Sequence, residues 1–381
     1  MDFTWSPDQL ALRDAVHEFA QRMPAADMIR RDRAGEFARD AWRAWAEFGL
    51  QGMPFPVELG GGGQDAPTTV LALEAAGRGC RDGGLLFAIG AQLWSVQMPL
   101  LRHGSAAQQQ RYLPRLCSGD WIGAHAMTEP DSGSDAFALR TTAVRRGDDY
   151  VLNGTKTFIT SAPDADVFLV FATVDRALGA LGITAFLVER AMSGVHVGEP
   201  IGKMGLATSP MAELILEDCR VPEANRLGRE GRGAGIFNDS MEWERACILA
   251  PCLGAMQRQL DACVAHAKAR VQFGRPIGDF QAVSHRLAGM QLRLDAARLL
   301  VYRAASLKQD GAPAAAAAAM AKLYLSEAWV QSSLEAVQLH GGYGYTTEYE
   351  LERELRDAVG GTLYSGTSDI QRTIIARALG L

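Results

Sequence analysis

The sequence predicts a multidomain α+β fold in the order helical, β, helical. Three observations carry this. Apolar residues recur at helical spacing through residues 6–120. Near residue 121 the pattern changes to short β-branched and aromatic runs between turn residues. From Gly235 long helical patterns return. At 381 residues, 48% of them hydrophobic, the chain exceeds one ordinary domain and holds ample core material. The expected boundaries are 1–120, 121–232 and 233–381.

Ser6-Pro7 predicts a helix cap with proline in the first turn. Leu10, Val16 and Phe19 follow at roughly helical spacing. Leu59 to Gln64 contains four consecutive glycines and reads as a loop, because glycine costs a helix too much backbone entropy. Helical patterns resume over Leu71–Gly79 and Leu85–His103. In the middle block, Val151 to Thr160 surrounds Asn153-Gly154, a pair that predicts a hairpin turn. Val167–Thr173, Ile183–Val188 and Ala212–Leu216 read as further strands, together a small barrel. C-terminal helices are expected at 236–270, 280–309, 313–340 and 348–359, with a last one from about 368. The run Ala314–Ala319 resembles low complexity. Alanine is the strongest helix former, however, and Met320, Leu323 and Tyr324 follow in register, so a helix interior is expected.

The net charge is −6 and the cations are scattered, so no stripe points to nucleic acid. The six cysteines show no CxxC spacing; packing thiols in a reduced compartment are expected, and no metal site. The stretch Met1 to Trp5 lacks the charged-then-apolar pattern of a signal, and no run of about 18 apolar residues predicts a membrane span. A cytoplasmic protein without membrane or nucleic-acid partners is expected. No early GxGxxG follows a strand, which argues against a nicotinamide site.

Six segments carry chemistry. Ala126 to Asp135 clusters Thr128, Glu129, Ser132, Gly133, Ser134 and Asp135; alone it could be an ordinary turn. Phe158-Ile159-Thr160 could be plain strand. Arg270 to Ile277, followed by Gln281, offers a forked cation suited to a pyrophosphate, or simply a helix end marked by Gly274 and Pro276. Gln338 to Tyr345 places glycines where backbone can approach a ligand closely. The last two are Met241-Glu242-Trp243-Glu244-Arg245 and Tyr364 to Arg372.

Together these segments resemble the acyl-CoA dehydrogenase family of flavoenzymes, and the likeness covers residues 1–381. It implies an N-terminal α-helical domain, a central β-barrel and a C-terminal four-helix bundle, with FAD held between subunits of a homotetramer. By resemblance, His125, Met127, Thr128, Gly133, Ser134, Phe158, Thr160, Thr367 and Asp369 line the flavin. Arg270, Phe273, Gln281, Gln338, Gly341 and Gly342 would clamp its dinucleotide end from a neighbouring subunit. Ser134, Arg245, Tyr364 and Gly366 would face substrate. His125, His340 and Asp369 depart from common family residues.

Most family members carry the catalytic carboxylate where this chain has Ser365. A minority carry it before an arginine on an earlier helix, where this chain has Glu244. The resemblance therefore implies Glu244 as base and the Ser365 backbone N–H as an oxyanion donor, which survives a side-chain change. A carboxyl in an apolar pocket has its charged form disfavoured and becomes a better base. Glu242 lies about 200° round the same helix and cannot share the cleft. Within the family, Trp243-Glu244-Arg245-Ala246-Cys247, Asn225-Arg226-Leu227-Gly228, Ala282 to Arg286 and Ser365 to Asp369 are most similar to members acting on carrier proteins, the L-prolyl-carrier-protein dehydrogenases among them. This implies α,β-dehydrogenation of a small acyl or aminoacyl thioester on an acyl or peptidyl carrier protein in secondary metabolism. Electrons would pass to an electron-transfer flavoprotein or to oxygen. A catabolic short- or branched-chain acyl-CoA dehydrogenase, and a catalytically silent flavin-binding paralogue, are the alternatives.

Overall fold

The computed structural model describes residues 4–23 and 27–381. Met1–Phe3, part of the stretch read for a signal, lie outside the described residues. The N-terminal helices are α1 (Pro7–Gln21), α2 (Met28–Ala34), α3 (Arg39–Glu47), α4 (Ala66–Gly79), α5 (Gly83–Gln92), α6 (Met98–His103) and α7 (Ala106–Cys117). Ser6 and Gln9 form a reciprocal capping box at the start of α1, with Pro7 in its first turn. The four-glycine segment is a loop that folds back on residues 52–56. A Cβ on Gly61 would lie 2.0 Å from the Phe55 carbonyl oxygen, so only glycine fits there. Between α5 and α6 the helix does not stop but widens into one π-helical turn, Leu93–Gln97. The continuous stretch Gly83–His103 is long and apolar enough to cross a membrane, yet 83% of its central window is buried inside the chain.

The strands are β1 (Gly123–Ala126), β2 (Thr142–Arg146), β3 (Asp149–Thr160), β4 (Val167–Thr173), β5 (Ile183–Glu189), β6 (Val195–Val197), β7 (Met211–Pro222) and β8 (Arg226–Leu227). They form one mixed sheet in the order β6-β7-β3-β2-β4-β5-β8, with β1 parallel to β4. Among the described residues no pairing joins the end strands, so the expected barrel takes the form of a sheet with an open path. All seven residues of β4 are buried, which is why it reads as a continuous apolar run without alternation. Asn153-Gly154 is not a hairpin turn. It sits inside β3 at a bulge opposite β7, and the chain reverses at Gly147-Asp148 instead. Gly154 adopts φ 151°, and a Cβ there would meet the Thr141 hydroxyl at 2.5 Å. The residues that favour a turn also favour a bulge, since both need unusual φ.

The C-terminal helices are α8 (Gly233–Cys247), α9 (Ala250–Ala269), α10 (Gln281–Gln309), α11 (Ala315–His340), α12 (Gly342–Tyr345), α13 (Leu351–Gly361) and α14 (Ser368–Ala378). The single helix expected over 236–270 is two, broken at Ile248-Leu249 ahead of Pro251, which opens α9. The helix expected at 348–359 starts at Leu351, after a short turn. The alanine run forms the first turn of α11, with Ala314 at its cap. A short hairpin, β9 (Val271–Gln272) and β10 (Arg275–Pro276), joins α9 to α10. One apolar core runs through helices and sheet, and all six cysteines are buried and unbridged.

Candidate active site

Three elements converge on Glu244. It lies on the last two turns of α8, only 8% exposed. Its Oε1 accepts a hydrogen bond from the Ser365 hydroxyl, and its Oε2 accepts one from Ser95, in the π-helical turn. No cation hydrogen-bonds it among the described residues. Burial raises its proton affinity above that of an ordinary carboxylate; the two serines and the charges of Arg245 and Lys322 oppose that in part. Glu242 points elsewhere, 31% exposed with its carboxylate 3.3 Å from the Lys308 ammonium. The flanking Trp94 and Trp243 indoles lie parallel, 6.0 Å apart, and seat the π turn on α8.

The loop that contributes Ser365 is held from behind. Ser365 and Gly366 both adopt left-handed φ, 58° and 88°. Their carbonyls turn inward. Ser365 O accepts from Arg245 Nε at 3.0 Å and Gln371 Nε2 at 3.0 Å. Gly366 O accepts from Lys322 Nζ at 2.7 Å and Gln371 Nε2 at 2.8 Å. With the carbonyls tied down, the N–H groups of Ser365, Gly366 and Thr367 donate to no described residue. Consecutive free N–H groups in such a conformation form a concavity suited to an anion. Lys322 is fully buried, and desolvation lowers its pKa to about 8. Tyr364 packs on Phe87 with ring centroids 4.5 Å apart. Thr367 caps α14 through its hydroxyl, and Asp369 is exposed beside Arg372.

The second group lines the loop after β1. Glu129, 5% exposed, accepts from Lys156 Nζ at 2.7 Å, from the Arg140 and Thr141 N–H groups, and from the Thr141 hydroxyl. Lys156 also donates to Met127 O at 3.1 Å; burial brings its pKa down to about 8. This buried pair fixes the loop while Gly133 and Ser134 stay exposed, Gly133 with open space where a Cβ would project. Thr128 O accepts from Thr157 N at 2.9 Å, tying the loop to the end of β3. There a second bulge, between Lys156 and Ile159, turns Phe158 outward at φ 57° and 59% exposure. Thr160 ends the strand, half-buried. His125 stacks on Phe237 of α8 at 5.9 Å; its Nε2 is buried without a partner, and desolvation depresses its pKa to about 3.

The third group is remote. Arg270, Phe273, Gln281, Gln338, Gly341 and Gly342 are all exposed, around the α9–α10 hairpin and the end of α11. Arg270, Gln338, Gly341 and Gly342 border an open groove of about 440 Å³ with His266 and Tyr343. Gln338 sits sixteen residues beyond Lys322 on α11, about 24 Å of helix. One chain thus brings Glu244, Arg245, Ser365 and Gly366 together, with Tyr364 in the same loop, but not with the Arg270 group. Sequence reasoning missed Ser95, Lys322, Gln371 and the Glu129–Lys156 pair. A lysine inside the otherwise apolar stretch Ala314–Leu325 was the available signal for Lys322; Ser95 had none. Further along the chain, Arg353 and Asp357 are buried in an ion network and Glu348 is exposed.

Family models describe three matching stretches: the acyl-CoA dehydrogenase N-terminal domain over 6–120, middle domain over 124–219 and C-terminal domain over 231–380. An L-prolyl-[peptidyl-carrier protein] dehydrogenase from Pseudomonas fluorescens is 46% identical over 346 residues, 91% of either chain. The crystal structure of the prolyl acyl carrier protein oxidase AnaB superposes with a TM-score of 0.98 at 49% identity, covering 99% of this chain and 100% of that one. The structure of PigA with FAD and proline does so at 0.97 and 41%, covering both chains fully.

Proposed function

The chain belongs to the acyl-CoA dehydrogenase family, and from that premise we propose that it is an FAD-dependent dehydrogenase of a small aminoacyl thioester tethered to a carrier protein, with Glu244 as base. The observation that carries the mechanism is the buried Glu244 carboxylate set against the Ser365 loop. The carrier-bound substrate is inferred from relatives named for prolyl carrier-protein substrates.

Several features fit a flavin. The Phe158 ring turns outward and the Gly133-Ser134 backbone is exposed, while on β1 the His125 Nε2 is buried without a partner. FAD held there would supply the hydride acceptor for the carbon next to the one deprotonated. Glu244 takes the proton from the carbon beside the thioester carbonyl. The free N–H groups at 365–367 face the negative charge that develops on the thioester oxygen. Burial excludes water and keeps the carboxylate basic. The Arg270 group lies too far along the molecule to share that flavin's reactive end. Its exposed Phe273 and Val271 support an oligomer in which it serves a neighbouring copy.

The test is anaerobic bleaching of bound FAD by one prolyl group presented on a carrier protein and on CoA. Faster bleaching by the carrier-bound form is expected; preference for CoA would favour the catabolic reading, and no bleaching by either the silent one. Glu244→Gln is expected to slow bleaching at least 100-fold. Unchanged bleaching would remove Glu244 as base.

A further inference from the structure

Among the described residues, Ser95 is the one hydrogen-bond donor to Glu244 from outside the Ser365 loop. It sits in the π-helical turn between α5 and α6, all five residues of which are buried. A π turn redirects side chains relative to an unbroken helix, and such turns tend to mark functional sites. This one is pinned on several sides. Gln92, just before it, donates to Leu116 O at 3.0 Å and accepts from Gly123 N at 2.7 Å. Gln97, its last residue, donates to Gln51 O at 3.0 Å. The Trp94–Trp243 stack holds it on α8. A helical serine commonly bonds back to a carbonyl of its own helix; Ser95 bonds across to Glu244.

We propose that Ser95 is a positioning residue for proton abstraction: its hydroxyl keeps the Glu244 carboxylate ionised and holds its rotamer beside the Ser365 loop. The proposal rests on the reading of Glu244 as base. The groups that face Glu244 are Ser95 from the π turn, Ser365 and Tyr364 from the loop after α13, Lys322 from α11 and Arg245 from α8 itself. The two cations spend hydrogen bonds on the Ser365 and Gly366 carbonyls, so the two serines are the only hydrogen-bond donors to the carboxylate among the described residues. Each oxygen keeps a free lone pair for the substrate proton. Removing Ser95 leaves half of a buried carboxylate without a donor, which favours its protonated form.

The experiment follows anaerobic flavin reduction by carrier-bound prolyl thioester against pH in the FAD-loaded enzyme. Wild type, Ser95→Ala, Ser95→Cys and Glu244→Gln are compared. The acid limb is expected to move to higher pH by about one to two units in Ser95→Ala. Ser95→Cys, a weaker donor of similar size, is expected to shift it less. A second readout needs no turnover: the infrared band of protonated Glu244, identified by its loss in Glu244→Gln, should titrate at correspondingly higher pH in Ser95→Ala. An unmoved limb and band, or an equal loss of rate at every pH, overturns the role of Ser95. If Glu244→Gln itself stays active, the base assignment fails instead, and the two failures are told apart.

Discussion

At the scale of single residues, the Ser365 hydroxyl donates a hydrogen bond to the buried Glu244 carboxylate. Both residues were legible in the sequence because each stands in a segment with a recognisable pattern. What holds them was less so. Lys322 lies among alanines and leucines, and its contact with Gly366 depends on how α11 packs on the loop after α13. Its folded pKa of about 8 lies below the ordinary 10.5. Between those values the unfolded chain binds the extra proton, so stability rises with pH there, and below pH 8 the full cost of burying the cation is present. Lys322→Met is therefore expected to keep or raise the melting temperature at pH 7 while slowing flavin reduction roughly tenfold, through loss of one hydrogen bond to the loop. A fall in melting temperature with unchanged reduction would contradict this; calorimetry and stopped-flow absorbance measure the two.

At the scale of elements, the order of helices and strands was readable because hydrophobic period is a local property. The failures are equally physical. Asn153-Gly154 carries turn chemistry, but β7 supplies a partner along its whole length and makes it a bulge. The break between α8 and α9 lacks a glycine stop, and only Pro251 hints at it. The π turn is invisible to periodicity because one extra residue per turn barely disturbs a run that is apolar on most sides. The β3 bulge leads to a test. Gly154→Ala would push a methyl group against Thr141, whose hydroxyl and N–H bind Glu129 beneath the loop after β1. Destabilisation of about 1–3 kcal/mol is expected in urea denaturation, with weaker retention of FAD on dialysis. Intact flavin retention would uncouple the bulge from the loop.

At the scale of the whole molecule, the three-part fold was legible, while the separation of the candidate residues into near and far groups was not, since sequence distance says little about helix direction. The separation comes from α11, a rod of 26 residues with Lys322 near one end and Gln338 near the other. It also follows from the length of α9, which carries Arg270 away from Glu244.

That rod has a genetic consequence. If each copy gives one end to its own chemistry and the other to its neighbour's, two crippled chains can repair one another. In mixed pairs of Glu244→Gln and Arg270→Ala protomers, one of the two centres combines an intact carboxylate with an intact cationic clamp. Random reassembly of equal amounts makes half of the pairs mixed, so about a quarter of wild-type turnover is expected to reappear from two near-dead parents. Co-refolded mixtures that stay as inactive as the parents would mean that every protomer works alone.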